Sequence, residues 1–169
     1  MITSMLFIAL DLWGRVSNTF GEALRYSSFQ VSSVMTTTGY ATTNFDAWPT
    51  FSRVLLVALM FAGASAGSTG GGIKMSRLII MFKTMKREAL RILHPQAVKV
   101  IKLDNVPLQE EVIHGTGTFI VVYGTITMLS VLLVALDGYD LETSATAVAA
   151  CINNIGPGLG RVSPVGNYA

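Results

Sequence analysis

The chain has 169 residues, of which 51% are hydrophobic and 13% are charged, and its formal net charge is +2. A soluble domain usually carries about 25% charged residues, so this composition excludes an ordinary soluble globular domain and indicates a membrane protein. The one cysteine, Cys151, excludes an internal disulfide and fits no metal-binding pattern. We expect it to be a packed small residue.

The first apolar segment, residues 2–10, is too short to cross a bilayer, which takes about 20 apolar residues as a helix. We expect it to be the end of a helix whose beginning precedes this sequence. It does not resemble a signal peptide, because residues 11–13 (DLW) supply no small-residue cleavage site. The sequence TFGE that follows, residues 19–22, matches a capping box and predicts a helix from Phe20 to Met35.

Residues 36–42 have the sequence TTTGYAT, and we call them the first glycine loop. A Thr-rich T-x-G-Y run is what a K⁺ selectivity filter needs. Glycine lets the backbone turn its carbonyls toward one axis, where they replace the hydration shell of the ion. A polar loop between two helices is the alternative that these seven residues alone leave open.

A second apolar run covers residues 54–67. It overlaps a stretch of small residues, GASAGSTGGG at positions 63–72, which we call the small-residue segment. Each glycine costs a helix about 1 kcal/mol relative to alanine, and three in a row predict a break. The alternative is close packing of an intact helix through its small residues. A phosphate-binding loop is excluded, because GxxxxGK[ST] is absent and no strand precedes the segment.

Basic residues are concentrated in the next part of the chain. Two-thirds of the 12 lysines and arginines lie between positions 74 and 102, and the positive-inside rule places that stretch in the cytoplasm. Acidic and aromatic residues fall in the connections on the opposite side. Residues 75–93 are predicted to form a basic helix and residues 98–108 an extended segment. Apolar segments bracket the basic stretch closely, which argues against a nucleic-acid partner.

The clearest membrane span is residues 119–136, which carry no charge. Asp140 is then predicted to cap a helix from Leu141 to Ile152, with Glu142 in its first turn. The second glycine loop, NNIGPGLG at residues 153–160, follows directly.

The two glycine loops belong to a repeat. Placing Gly39 over Gly156 gives an offset of 117 residues, and the same offset aligns the two apolar segments that precede the short helices. The order is span, short helix, glycine loop, span, and the second copy stops before its closing span. Irregular backbone inside a membrane must be buried in protein or face water, and helix C-termini carry partial negative charge that favours a cation. Four such units around an axis would make a pore.

Three motifs in this order resemble the Trk/Ktr/HKT superfamily of K⁺ uptake proteins, specifically its bacterial TrkH type: FQVSSVMTTTGYATTNFDAWP, GASAGSTGGGIK and NNIGPGLG. The resemblance implies an all-α integral membrane protein with repeated span–pore helix–filter loop–span units of a pseudo-fourfold pore. It assigns residues 1–93 to the third pore unit and residues 94–115 to a cytoplasmic connection. Residues 116–169 would be the fourth unit, truncated before its last span.

The resemblance also implies site residues. The K⁺ filter would comprise Thr37, Thr38, Gly39, Tyr40, Asn154, Ile155 and Gly156, with K⁺ held by the carbonyls of Thr37, Thr38, Asn154 and Ile155. Asn153, Asn154 and Pro157 depart from the T-x-G-Y form, so the filter would be asymmetric. The small-residue segment would be an intramembrane gating loop beneath the filter, with Lys74 at its cytoplasmic mouth: Gly63, Gly67, Ser68, Thr69, Gly70, Gly71, Gly72 and Lys74.

The expected ligand is the transported K⁺ ion, with no covalent cofactor. The expected partners are membrane lipid, a cytosolic nucleotide-binding regulatory subunit of the TrkA type, and a second full-length subunit in a homodimer. The basic helix is a candidate contact for the regulator, and lipid headgroups compete for that role. The expected location is the inner membrane of the cell in a multi-pass arrangement, with residues 74–115 cytoplasmic and the filter loops toward the outside.

The predicted function is therefore K⁺ transport, passive or coupled, through a filter of backbone carbonyls with an intramembrane gate. The alternative is a re-entrant-loop secondary transporter for another cation or a small solute. Both glycine loops follow helix C-termini, which favours a cation over a carboxylate. An intramembrane enzyme is not expected, because paired carboxylates, GxSxG and metal-spaced ligands are missing from the spans.

Overall fold

The computed structural model describes residues 1–63, 70–93, 101–103 and 106–166. Six helices and one pair of strands form the described part of the chain: α1 (Ile2–Leu12), α2 (Phe20–Met35), α3 (Thr50–Phe61), α4 (Met75–Leu93), β1 (Lys102–Leu103), β2 (Val106–Pro107), α5 (Glu110–Ala135) and α6 (Leu141–Ile152). The strands pair antiparallel within the segment that was predicted to be extended. Single 3₁₀ turns follow the two glycine loops, at Phe45–Ala47 and Gly160–Val162. The all-α fold class predicted from the sequence is confirmed.

Helices α2 and α6 have the bounds that their capping residues predicted. The Thr19 hydroxyl oxygen accepts a hydrogen bond from the Glu22 backbone N–H at 3.4 Å. An Asp140 carboxylate oxygen accepts one from the Thr143 N–H at 3.1 Å, and the Thr143 hydroxyl donates to the other oxygen at 2.6 Å. These two bonds, hydroxyl first, lower the pKa of Asp140 below its ordinary value. Each cap satisfies backbone donors that would otherwise lack a partner, which fixes where the helix begins.

Two other helices differ in extent from the apolar runs that predicted them. Helix α5 begins at Glu110, well before the predicted span at residue 119, because Glu110 and Glu111 suit the positive end of a helix. Helix α3 ends at Phe61, before the apolar run does. Gly63 is already outside the helix, and its N–H donates to the Ile73 carbonyl at 2.9 Å. The predicted break in the second apolar run is thus present.

The repeat is visible in the ends of the two short helices. Met35 and Ile152, the last residues of α2 and α6, are 117 residues apart, which is the offset found from the glycines. The offset does not hold at the helix starts, because α2 has 16 residues and α6 has 12. The structural repeat is therefore anchored at the glycine loops.

One apolar core joins the two repeats. It is formed by the facing sides of α1, α2 and α3, by the aromatic pair Phe45 and Trp48 after the first glycine loop, and by residues in and beside the second glycine loop. Its buried members include Ile8, Leu12, Val31, Val34, Leu56, Met60, Ala149, Ile155 and Leu159. Because Ile155 and Leu159 belong to this core, the second loop is packed against the first unit.

Helix α5 is, among the described residues, the one helix long and apolar enough to cross a membrane. Its 26 residues bury only Ile113 and Thr116, so most of its apolar surface is free to contact lipid or further protein. Cys151 corrects one expectation, because its side chain is exposed on α6 rather than packed. The residues of α6 that are buried lie on the side that faces the core.

Arg53 of α3 connects the two units beyond the glycine loops. Its guanidinium lies 3.0 Å from a Glu142 carboxylate oxygen at the start of α6, and 3.7 Å from the Asp46 carboxylate. Asp46 in turn accepts the Gly160 backbone N–H at 3.0 Å. The Arg53 side chain is 25% exposed, so these charges are partly shielded from water.

Replacing Arg53 by glutamine is expected to destabilise the intact protein by about 1–3 kcal/mol, because it leaves two partly covered carboxylates without their cation. Arg15→Gln is the matched control. Arg15 pairs with Asp11 at 3.7 Å but is 69% exposed, and exposed ion pairs contribute about 0–1 kcal/mol. Thermal unfolding in detergent measures both variants. Equal losses of stability would show that Arg53 does not hold the units together.

Candidate functional site

The first glycine loop begins with a turn that reverses the chain at the end of α2. Thr37 has a φ of 56°, in the left-handed region. Its N–H donates to the Val34 carbonyl at 3.2 Å, and the Thr38 N–H donates to the Ser33 carbonyl at 2.9 Å. This pattern is a Schellman motif, in which glycine is the usual left-handed residue. A β-branched threonine there is strained by about 1–3 kcal/mol, so the surrounding packing must impose the turn.

The second glycine loop begins with the same turn, 117 residues later. Asn154 has a φ of 54°. Its N–H donates to the Cys151 carbonyl at 3.2 Å, and the Ile155 N–H donates to the Ala150 carbonyl at 2.9 Å. Asparagine tolerates this conformation better than threonine does. The two loops therefore begin with the same backbone turn although their sequences differ.

The structure brings the two predicted glycines together. Gly39 has a φ of +79°, and a Cβ atom built on it would overlap the Ile155 carbonyl oxygen and lie 3.4 Å from the Pro157 ring. Gly156 has a φ of +105°, and a Cβ there would lie 4.0 Å from the Gly39 Cα. The contact is between backbone and backbone, so the two loops lie side by side at this level.

Hydrogen bonds from α2 fix the first loop. The Ser33 hydroxyl donates to the Tyr40 carbonyl at 2.6 Å, which holds that carbonyl toward the helix. The Thr36 hydroxyl bonds to the Ser32 carbonyl at 2.7 Å and to the Thr38 hydroxyl at 2.8 Å. The Tyr40 side chain is 72% exposed in the described structure. The Tyr40 carbonyl therefore already accepts a hydrogen bond from a side chain of α2.

Residues of α6 and α5 fix the second loop. Asn153 is completely buried; its side-chain amide donates to the Ala149 carbonyl at 2.8 Å, and its amide oxygen accepts the Tyr123 hydroxyl at 2.7 Å. Further along, the Thr146 hydroxyl oxygen accepts the Leu159 N–H at 2.9 Å. Asn153 was not predicted as a site residue. The sequence signal that would have found it is its position 117 residues after Thr36, the residue that caps α2.

The described residues on either side of positions 64–69 lie next to each other. The Gly63 N–H donates to the Ile73 carbonyl at 2.9 Å, and the Ile73 N–H donates to the Phe61 carbonyl at 3.3 Å. Beyond Ile73, the Lys74 ammonium donates to the Gly70 carbonyl. Three of the predicted gating residues, Gly67, Ser68 and Thr69, lie outside the described residues.

The returning end of this segment packs on the second glycine loop. A Cβ atom built on Gly71 would overlap the Asn153 carbonyl oxygen and lie 3.0 Å from the Asn153 Cα. A Cβ on Gly72 would lie 3.1 Å from the Asn153 amide oxygen. The described end of the predicted gating segment therefore contacts Asn153, the residue directly before the predicted filter residues of the second loop.

The chemistry that the two glycine loops offer is that of backbone carbonyl oxygens. Both loops follow the C-terminal ends of helices, which carry partial negative charge. In the described ranges there is no group of three or more His, Cys, Asp or Glu side chains placed to hold a metal ion. Coordination by carboxylates, as divalent cations prefer, has no support from the described side chains.

Charged contacts hold the basic helix α4 against the start of α5. The Arg87 guanidinium lies 2.7 Å from a Glu110 oxygen and 3.2 Å from a Glu88 oxygen, and it lowers the pKa of Glu110. The Lys83 ammonium donates to the Lys102 carbonyl at 2.6 Å. Large apolar side chains such as Phe82, which is 63% exposed, remain on the surface of α4. The helix is amphipathic, with part of its apolar face uncovered.

Comparison with known proteins identifies the family. The family model TrkH, described as a cation transport protein, matches residues 1–166. The chain is 38% identical over 164 residues to the Trk system potassium uptake protein TrkH of Escherichia coli (strain K12), and 34% identical over 166 residues to that of Halomonas elongata. These matches cover 95% and 94% of this chain and 34% of each relative.

A solved structure agrees with the fold. The crystal structure of the potassium transporter TrkH from Vibrio parahaemolyticus superposes with a TM-score of 0.89 at 35% sequence identity, covering 98% of this chain and 36% of that one. The chain thus spans about a third of the length of the relatives that it matches. The resemblance inferred from the three motifs is confirmed: the chain belongs to the TrkH family of cation transport proteins.

Proposed function

We propose that this chain supplies two of the four filter strands of a K⁺ transport pathway, in which backbone carbonyls select the ion and an intramembrane loop gates it. One observation carries the proposal: Gly39 and the Ile155 carbonyl are in backbone contact, and both lie in loops with the same turn after a helix C-terminus. Two loops that begin with the same turn and lie side by side are what adjacent strands of a carbonyl-lined filter require.

The proposed ion ligands are the carbonyls of Thr37, Thr38, Asn154 and Ile155. The hydrogen bond from Ser33 occupies the Tyr40 carbonyl, so Tyr40 would contribute to the filter through its backbone shape. The filter would be asymmetric, because asparagine holds the left-handed position in one loop and threonine in the other.

The proposed gate is the small-residue segment. Its support is the contact of Gly71 with the carbonyl of Asn153, the residue directly before the second proposed filter strand. The three consecutive glycines at positions 70–72 have no side chains, so their backbone can lie across a narrow pathway and withdraw from it at a small steric cost. The hydrogen bond from Lys74 to the Gly70 carbonyl would tie this segment to the start of α4.

We further propose that residues 1–93 form the third pore unit and residues 116–169 most of the fourth, joined by a cytoplasmic connection. In this arrangement α4 faces the cytoplasm of an inner-membrane protein, where its lysines and arginines suit the positive-inside rule. Its uncovered apolar residues and basic charge would serve contacts with a nucleotide-binding regulatory subunit or with lipid headgroups. A homodimer of complete subunits remains the expected assembly.

Transport assays on the intact protein test the proposal. The intact protein is here the complete subunit to which this chain is proposed to belong. Purified protein in K⁺-loaded liposomes is expected to take up Rb⁺, and external K⁺ should suppress that uptake at lower concentrations than Na⁺ or Li⁺ does. Liposomes without protein are the control. Uptake of an uncharged solute that K⁺ does not inhibit would favour the re-entrant-loop secondary transporter instead.

A further inference from the structure

The hydroxyl of Tyr123 bonds to the residue that opens the second glycine loop. It lies within the membrane-spanning part of α5, where a hydroxyl without a hydrogen bond is costly. It donates to the Asn153 amide oxygen at 2.7 Å, while the amide nitrogen of Asn153 donates to the Ala149 carbonyl at 2.8 Å. The two bonds together allow one orientation of the amide, because its oxygen only accepts and its nitrogen only donates.

Asn153 lies where three parts of the site meet. Asn153 is the C-cap residue of α6. Its carbonyl oxygen is in contact with Gly71, and the next residue, Asn154, makes the left-handed turn into the second glycine loop. Any rotation of Asn153 would therefore move both the packing surface of the small-residue segment and the first carbonyls of the second loop.

The ring of Tyr123 is connected through Phe119 to helix α4. Its ring stacks on Phe119 with centroids 5.9 Å apart, and the Arg77 guanidinium of α4 lies 3.9 Å from the Phe119 centroid. A cation over an aromatic face is attracted by the negative face of the ring, and more strongly where water is scarce. Arg77 is also close in sequence to Gly71 and Gly72, so α4 reaches Asn153 by two routes: through the backbone and through these rings.

Among the described residues, the first loop shows no equivalent connection. The residue 117 positions before Tyr123 is Leu6, which carries no hydroxyl. The residue equivalent to Asn153 is Thr36, and its hydroxyl bonds within its own unit, to Ser32 and Thr38. The link from the spanning helix to the loop is thus a feature of the second unit.

From this geometry we propose that Tyr123 is a positioning residue for the second filter strand, and that the contacts Arg77–Phe119–Tyr123–Asn153 couple the position of α4 to ion selectivity. The inference rests on the proposed function, because it assigns Tyr123 an effect on a filter. A displacement of α4 on the cytoplasmic side would loosen the Tyr123 hydroxyl from Asn153 and free the amide to turn.

Tyr123→Phe in the intact protein tests the inference, because it removes the hydroxyl and keeps the ring stacked on Phe119. We expect the ratio of Rb⁺ to Na⁺ uptake in liposomes to fall by about threefold to tenfold, the effect of one lost hydrogen bond on the arrangement of the strand. Tyr139→Phe is the matched control. Tyr139 lies outside the span against Arg161, and its variant should keep the wild-type ratio.

Two double variants separate positioning from general loss of structure. If the hydroxyl acts through Asn153, Tyr123→Phe combined with Asn153→Ala should be no less selective than Asn153→Ala alone. Arg77→Gln should lower the ratio in the wild-type background and have no further effect in the Tyr123→Phe background. Unfolding temperatures are measured for every variant, so that selectivity is compared at similar stability.

The possible failures are distinct. Absence of K⁺-sensitive Rb⁺ uptake by the wild-type protein would overturn the proposed function itself. Normal wild-type uptake together with an unchanged ratio in Tyr123→Phe would overturn the positioning role alone. Additive losses in the double variants would show that Tyr123 and Asn153 act separately, which also contradicts the proposed coupling.

Discussion

Replacing Gly39 by serine in the intact protein is expected to lower the preference for K⁺ over Na⁺ by tenfold or more. The new Cβ would overlap the Ile155 carbonyl oxygen on the neighbouring loop, and the φ of +79° is unfavourable for any residue with a side chain. Left-handed backbone alone costs about 1–2 kcal/mol, and about 1.4 kcal/mol corresponds to a factor of ten. The collision adds to that cost and displaces a second strand.

Two other glycines separate these contributions. Gly14 has almost the same φ, +78°, and open space around its Cβ position, so Gly14→Ser reproduces the backbone strain without the collision. Gly156→Ser should have a smaller effect than Gly39→Ser, because the nearest atom to its Cβ position is the Gly39 Cα at 4.0 Å. The measurement is the ratio of Rb⁺ to Na⁺ uptake at equal protein content. A Gly39→Ser protein that folds and keeps the wild-type ratio would show that the contact with Ile155 is not part of a filter.

Replacing Gly71 by alanine is expected to raise K⁺ flux in the absence of any regulator, by severalfold. The methyl group would overlap the Asn153 carbonyl oxygen, so the returning end of the small-residue segment would have to withdraw from the second loop. If that segment closes the pathway, its withdrawal opens it. Selectivity should fall less than in Gly39→Ser, because the contact between Gly39 and Ile155 is left in place.

Gly117→Ala is the matched control for this variant. Gly117 lies in α5 with nothing near its Cβ position, and alanine in a helix is more favourable than glycine by about 1 kcal/mol. Basal uptake of Rb⁺ by the two variants is compared with that of the wild-type protein. Reduced flux in Gly71→Ala with unchanged regulation would identify the segment as packing surface between helices, which is the alternative that the sequence left open.

The sequence predicted those features that depend on neighbouring residues. Thr19 and Asp140 define the starts of α2 and α6, because a capping side chain and the N–H groups that it satisfies are within one turn. Glycine composition predicted that α3 would break, and the chain does leave the helix after Phe61. The spacing of apolar residues among the basic ones, and the His-Pro pair that follows, predicted helix α4 with its observed bounds.

What the sequence could not predict depends on contacts between distant segments. Threonine disfavours left-handed backbone, so no local preference indicates the turn at Thr37; the packing of the loop imposes it. The role of Asn153 requires Tyr123, 30 residues away, and Gly71, which belongs to another unit. The exposure of Cys151 follows from which side of α6 the core occupies, and that side is chosen by the neighbouring helices.

The matched turns at Thr37 and Asn154 have a consequence for how such a protein changes over generations. A duplicated segment normally becomes unrecognisable when its side chains diverge. Here the shared part is a set of backbone hydrogen bonds, so each copy is free to accumulate its own side chains while the carbonyl positions persist. One copy can carry a connection that the other lacks, as the second does with the hydrogen bond from Tyr123 to Asn153, and still keep the shared turn. Two copies in a single polypeptide can therefore differ in the side-chain contacts that hold their loops. Identical subunits in a symmetric assembly cannot differ in this way, because one sequence encodes them all.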